Sequence, residues 1–338
     1  NINAKGISSL MIHTMKIHVY IILALLQIIH QTYGEEPTGY YDSAHGKSGK
    51  SLRKAINHII SSHKVISYSS TDEKMSIIDT DPINKNNVIL IYSRRSDPSS
   101  NCCSSGWNRE HLWPNSYGID SRGPAYSDIH ALRPCDSNVN SSRGNKHFDE
   151  SDPNSRYYKF PSHPEATLCS SDNNSWSPPE SLKGDIARAM FYMDIRYEGK
   201  SGEPDLELTD DLAEITSSNS KMGSLKTLLI WHMLDPVSEE EKIRNEKVYE
   251  IQSNRNPFID HPQWVHTIWG NPLAVSISSN FDLIKVSWPA AIPKAVLECS
   301  TNLNQWEEIG AGIIDNGDQQ SLIRSRGTRK EFFRLRIK

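Results

Sequence analysis

The chain lacks a membrane-spanning run. Its apolar stretch Ile17 to Ile29 is about 13 residues, broken by His18, Tyr20 and Gln27, against the roughly 18 to 20 a spanning helix needs. Cysteine is scarce, five residues in 338, and no two stand as Cys-x-x-Cys, so a cysteine-based zinc site is excluded. There is no His-Glu-x-x-His either, which leaves a zinc hydrolase built on His111, His130 and His147 without a recognisable ligand spacing. An excess of either charge is also missing: 37 Lys and Arg stand against 41 Asp and Glu, for a net charge of −4. Without a global basic footprint, any phosphate-binding surface is local, and overall charge decides neither for nor against a nucleic-acid partner. No long internal repeat is present.

What is there is a soluble globular composition, 36% hydrophobic and 23% charged, in a chain longer than one core usually supports, so two domains are expected. The apolar run after Lys16 leads into Thr32-Tyr33-Gly34 and the acidic pair Glu35-Glu36, the form of a signal peptide cleaved before Glu35. Asn1 to Thr14 precede Met15 and have no leader character. We therefore expect an upstream segment and leader over 1–34, no stable membrane insertion after cleavage, and a secreted protein, extracellular or periplasmic. Export implies an oxidising compartment. Cys102, Cys103, Cys135 and Cys169 suffice for two bridges, with the neighbours Cys102 and Cys103 expected not to pair because adjacent side chains diverge; Cys299 is left over as a thiol.

Along the chain, Leu52, Ile56 and Ile59-Ile60 predict a helix over Ser48 to Ser61, and Asn87 to Ser93 a strand. From Ser96 to Pro179 the sequence reads as loops, yet it holds most of the His, Trp and Cys residues, the usual setting of a site. Helical periodicity returns from Gly184 and over Leu225 to Leu234, and Ser238 with Glu241 forms a capping box opening a helix to about Gln252. Beyond Gly270-Asn271-Pro272 alternation takes over, in strands near Ala274 to Ile277, Leu283 to Trp288, Ala295 to Ser300, Gln320 to Arg324 and Phe332 to Ile337. The expected architecture is α+β over 35–270, with a small all-β sandwich-like domain over 271–338.

The chemistry concentrates in Asn108-Arg109-Glu110-His111-Leu112-Trp113-Pro114, Asp128-Ile129-His130-Ala131-Leu132-Arg133-Pro134 and Asn138-Val139-Asn140-Ser141-Ser142-Arg143-Gly144-Asn145-Lys146. Hydrolysing a phosphodiester needs an activated water, a cation for the phosphoryl oxygens and a proton for the leaving oxygen. Histidine titrates near neutrality and suits the base, while carboxylate and amide oxygens are hard ligands of the kind magnesium prefers.

These blocks, with GDIARAMFYMDIRYEG (184–199), LLIWHMLDPVSEEEKIRN and YEIQSNRNPFIDHP (249–262), resemble the secreted bacterial endonuclease I family of the His-Me finger, or ββα-metal, superfamily, over roughly Tyr40 to Trp269. The resemblance implies a finger of two strands and a helix holding one Mg2+, for which Mn2+ or Ca2+ can substitute, with His111 as general base and Glu110 and Asn140 as ligands. It also implies an arginine in the loop between the strands that contacts phosphate, for which Arg122 is the candidate. The implied reaction is non-specific cleavage of DNA, RNA or both, read through the backbone and leaving 5′-phosphates, by a monomeric enzyme.

Each residue also has a plainer use. Glu110 and Asn140 also suit a surface carboxylate and a helix cap, although ligation is favoured. His130 either orients the site or packs beneath it; Arg143, Asn145 and Lys146 either touch substrate or tether the finger helix. Alternation sends Glu110 and His111 to opposite sides of their strand unless a bend near Pro114 redirects one. The 271–338 region has no catalytic cluster and is assigned surface or glycan contact or a role in secretion. A rival reading makes the whole chain an extracellular surface-binding protein with a structural metal finger.

Overall fold

The helix Glu180–Arg196 organises the larger region, because from Leu182 to Arg196 only Asp185 escapes burial. A helix covered on all sides belongs inside a core, and other helices close around this one. Leu225–Leu234 ends against its start so closely that a Cβ at Gly184 would lie 2.0 Å from the Asp235 carbonyl oxygen. Glycine is required there by the approach itself. The computed structural model describes residues 35–338 apart from 104–105, 281, 291, 293, 317–318, 326 and 328–329; the expected leader lies outside the described residues.

Gly49–Ile60 buries Leu52, Ile56 and Ile60, as their spacing predicts. Glu239–Gln252 opens with the expected capping box, the Glu241 amide donating to Ser238 Oγ at 3.1 Å and the Ser238 amide to Glu241 Oε2 at 3.2 Å. The same Glu241 takes two hydrogen bonds from the wholly buried Arg188, at 2.7 and 2.5 Å, locking the two long helices together through a bidentate pair. Thr71–Ile78, Pro257–Asp260 and Gln263–Trp269 complete the helical shell.

Two expectations change here. The strand predicted over Asn87 to Ser93 stops at Ile89, because the chain turns back at once to pair Asn87–Ile89 with Ser96–Pro98. Cys102 and Cys103, expected not to pair, are bonded to each other; the left-handed backbone of Cys103, φ 67°, turns the neighbouring side chains to one side. Cys135 and Cys169 are buried free thiols, so the two expected bridges among these four do not form. Burial pushes the Cys169 thiol up to about 12, which makes it unreactive.

From Ser276 the regular elements among the described residues are all strands. Ser276–Asn280, Leu283–Pro289, Gln319–Ser325 and Ile313–Asp315 form one antiparallel sheet, in that order, and Glu307–Glu308, Ala295–Ser300 and Phe332–Ile337 a second. Val286, Trp288 and Leu322 of the first share an apolar cluster with Leu297 and Leu335 of the second, so the two sheets face each other as a small sandwich. Ile230, from the Leu225–Leu234 helix, joins that cluster. The fold class is α+β with a β module at the C-terminal end.

Candidate active site

The strand Trp107–His111 pairs antiparallel with Leu132–Asp136, from Trp107 opposite Asp136 to His111 opposite Leu132, and the helix Ser137–Arg143 follows directly. This is a ββα unit. Beneath it Trp107, Ile129 and Leu132 pack with Met75, Val88 and Val248. Gly144, φ 57°, ends the helix in a backbone state that favours glycine.

The ladder is unbroken across Glu110 and His111, so no bulge redirects either side chain and the two reach different partners. Glu110 is buried; its Oε1 accepts from Tyr92 Oη at 2.7 Å and Arg143 Nη1 at 3.1 Å, and its Oε2 makes no hydrogen bond among the described residues. Burial pushes its carboxyl up, opposed by Arg143 and the Tyr92 hydroxyl. His111 Nε2 stands 2.9 Å from the Tyr126 carbonyl oxygen. A carbonyl only accepts, so Nε2 carries the proton and Nδ1 keeps its lone pair. Burial, with Arg143 and Arg109 nearby, lowers the His111 pKa to about 4, against the raising effect of the Tyr126 carbonyl. The ring is therefore neutral at neutral pH, a weaker base than a free imidazole but with the Nδ1 lone pair available.

Asn140 lies inside the finger helix, whose N-cap is Asp136, so it does not cap that helix. Its Nδ2 donates to Asn108 Oδ1 at 2.6 Å and to the Arg109 carbonyl at 3.3 Å, which leaves Oδ1 without a hydrogen bond among the described residues. Two oxygens without partners, one carboxylate and one amide, are a donor set that fits magnesium.

Arg143 is buried, and besides Glu110 its guanidinium donates to the carbonyls of His111 and Leu112, both at 2.9 Å. It tethers the helix to the strand and does not face solvent. Lys146 Nζ donates to the Ser142 carbonyl at 2.9 Å and lines, with Tyr117, Asn145, His147, Asn173 and Asn174, a cavity of about 330 Å³ beyond the helix end. His130 is buried, its Nε2 3.2 Å from the Asn254 carbonyl and its ring against Tyr192, above an Asp128 carboxylate that accepts from Tyr192, Tyr197 and Gln252. Burial pushes Asp128 up, but the neighbouring His63 and His130 and its donors hold it below the usual carboxylate value. Arg122 is apart from this group: it is exposed, and its hydrogen bonds go to Asp120.

Several participants were not singled out in the sequence. Tyr68 stacks on His111 with centroids 5.8 Å apart and leans on Tyr126 at 4.3 Å, while Arg109 lies over the Tyr68 ring at 4.6 Å and pairs with Asp72 at 3.1 Å. Arg109 and Asp128 lie within the quoted motifs and were passed over. Tyr68 sits in a polar segment with nothing to mark it, and Tyr126 acts through its backbone carbonyl and through a ring 4.9 Å from that of His111.

The sequence pattern of the Endonuclease I family matches residues 48–263. The chain belongs to the endonuclease I family. Its relatives include the extracellular ribonucleases of Bacillus amyloliquefaciens, 48% identical, and Bacillus subtilis (strain 168), 46% identical, each over 235 residues that cover 68% of this chain and 78% of the relative. Membership makes the protein a nuclease, a hydrolase whose substrate is nucleic acid. Among the described residues no helix is long and apolar enough to cross a membrane, and both relatives are named extracellular.

Proposed function

We propose that the protein is an exported endonuclease that cleaves internal phosphodiester bonds of RNA, and of DNA, with His111 as general base and one magnesium ion held by Glu110 and Asn140. RNA comes first because both relatives are named ribonucleases. The observation that carries the reading is the Tyr126 carbonyl on His111 Nε2, since it leaves Nδ1 as the proton acceptor. In the reaction Nδ1 takes a proton from water, the water oxygen bonds to phosphorus, and the bond from phosphorus to the 3′ oxygen breaks, leaving a 5′-phosphate and, once that oxygen is protonated, a 3′-hydroxyl. Bound magnesium supplies charge neutralisation at the phosphoryl oxygens and an acidified water for the leaving group. Arg143 fixes the finger helix to the strand, and His130 holds the floor of the site. Lys146 and Asn145 offer a phosphate contact at the cavity, and Arg122 reaches phosphate on giving up Asp120. The reading is of a monomer, with a catalytic domain over 35–270 and 271–338 as an accessory domain.

The test is digestion of a single-stranded RNA and a duplex DNA with magnesium, with zinc alone and with chelator, followed by end-group analysis. Cleavage with magnesium that chelator abolishes and that leaves 5′-phosphates supports the reading; full activity in chelator, or 3′-phosphate ends, overturns it.

A further inference from the structure

Away from the finger, Glu36 and His45 near the amino-terminal end of the described chain meet His261, which follows the short helix Pro257–Asp260. One carboxylate oxygen and one ring nitrogen of each histidine lie within 4.8 Å of one another. His261 Nε2 is 3.0 Å from Glu36 Oε1 and 2.9 Å from Oε2, and the two imidazoles stand at 87° with centroids 5.5 Å apart. Two imidazoles and a carboxylate are a zinc donor set, with a further position left for water. We propose that Glu36, His45 and His261 form a zinc site, separate from the finger, that fastens the segment around Glu36 to the far end of the family region.

Packing holds the central ligand in place whether or not a cation is bound. His261 stacks on Trp264 with centroids 4.0 Å apart and takes the Tyr41 ring edge-on at 5.0 Å. The Gln263 amide nitrogen lies 3.4 Å from Nδ1 and donates to it, so Nε2–H donates to the Glu36 carboxylate. Zinc binds Nε2 once its proton moves to Nδ1, toward which the Gln263 amide then turns its oxygen, and the ion also draws in His45. Because His45 is exposed, the ion has an open path and the residue can be changed without disturbing a core.

The test uses tag-free full-length protein, both wild type and with Glu110→Gln and Asn140→Ala to remove the finger's proposed ligands. Each is titrated with zinc chloride against a chromophoric chelator, with and without His45→Gln. The expected result is one zinc bound in the finger-deficient protein and at least about tenfold weaker binding after His45→Gln, the least that losing a ligand should cost. In the wild-type background His45→Gln should remove one site, and X-ray absorption of the zinc-loaded finger-deficient protein should show two imidazole nitrogens at about 2.0–2.1 Å. Zinc binding unchanged by His45→Gln at equal melting temperature, or no zinc in the finger-deficient protein, overturns the site.

Discussion

The nuclease region and the β module bury different things. In the finger and the segment leading into its second strand the chain encloses Arg143, Glu110, Asp128 and His130, and further off Arg188 with Glu241, each inside a hydrogen-bonded network. The module instead closes two sheets over Val286, Trp288, Leu297, Leu322 and Leu335, and its buried carboxylate, Glu298, pairs with the exposed arginines Arg334 and Arg336. Buried charge is costly unless fully partnered, whereas an apolar core needs only volume and pattern. The difference teaches where geometry is being held and where a surface is merely being supported.

The largest effect expected on the polar side of this contrast is that of His111→Ala. Loss of a general base should lower cleavage by about 10²- to 10⁴-fold with the melting temperature kept. A drop of less than tenfold in steady-state RNA cleavage would remove His111 from that role. Next, Arg143→Ala leaves Glu110 buried without its ion-pair partner and should cost about 3–5 kcal/mol of stability by denaturant unfolding, along with activity. A loss below about 1 kcal/mol would show that the tether is dispensable.

Acid should expose the same contrast by a third route. Burial, opposed by Asp128, pushes His130 down to about 4; burial and Arg188 push His232 down to about 3. The folded protein then binds fewer protons than the unfolded chain, whose histidines titrate near 6.5, so the stabilisation is full above about pH 6.5 and is lost as pH falls toward 4 and 3. The slope is about 1.4 kcal/mol per pH unit for each histidine. His232→Gln should flatten the melting curve against pH, and an unchanged slope would show that His232 titrates normally in the fold.

The smallest effect expected is from deleting 271–338. Hydrolysis of short oligonucleotides should stay within about twofold, because each group of the proposed chemistry lies outside the module. The truncated protein uncovers Ile230, so Ile230→Ser should improve its solubility without changing the rate. Loss of activity in a folded truncation would make the module part of the site.

The sequence was most informative where one residue type answers one local demand. Ser238 and Glu241 announced a helix start, and the alternation around Val286 and Leu335 announced sheets. The finger was legible through NREHLWP and NVNSSRGNK taken together. What escaped were contacts between segments far apart in the chain. Tyr68 reaches His111 from 43 positions away without periodicity or motif to betray it. The role of Arg143 was undecided between substrate and tether, because only burial separates the two. The pairing of Cys102 with Cys103 depended on one left-handed residue, which spacing does not reveal.

The oxygen that aims His111 belongs to Tyr126 but owes nothing to the tyrosine ring, since any residue with the same backbone presents it. It is delivered by the turn Pro124–Ser127, set up by Gly123 and Pro124. Point substitutions at position 126 would therefore report on the ring packed against His111 and leave the oxygen that orients the proposed base in place, whereas removing one residue between 120 and 126 would swing that oxygen away. Loop length, altered by insertion and deletion alone, is thus a heritable setting of the tautomer of the proposed base.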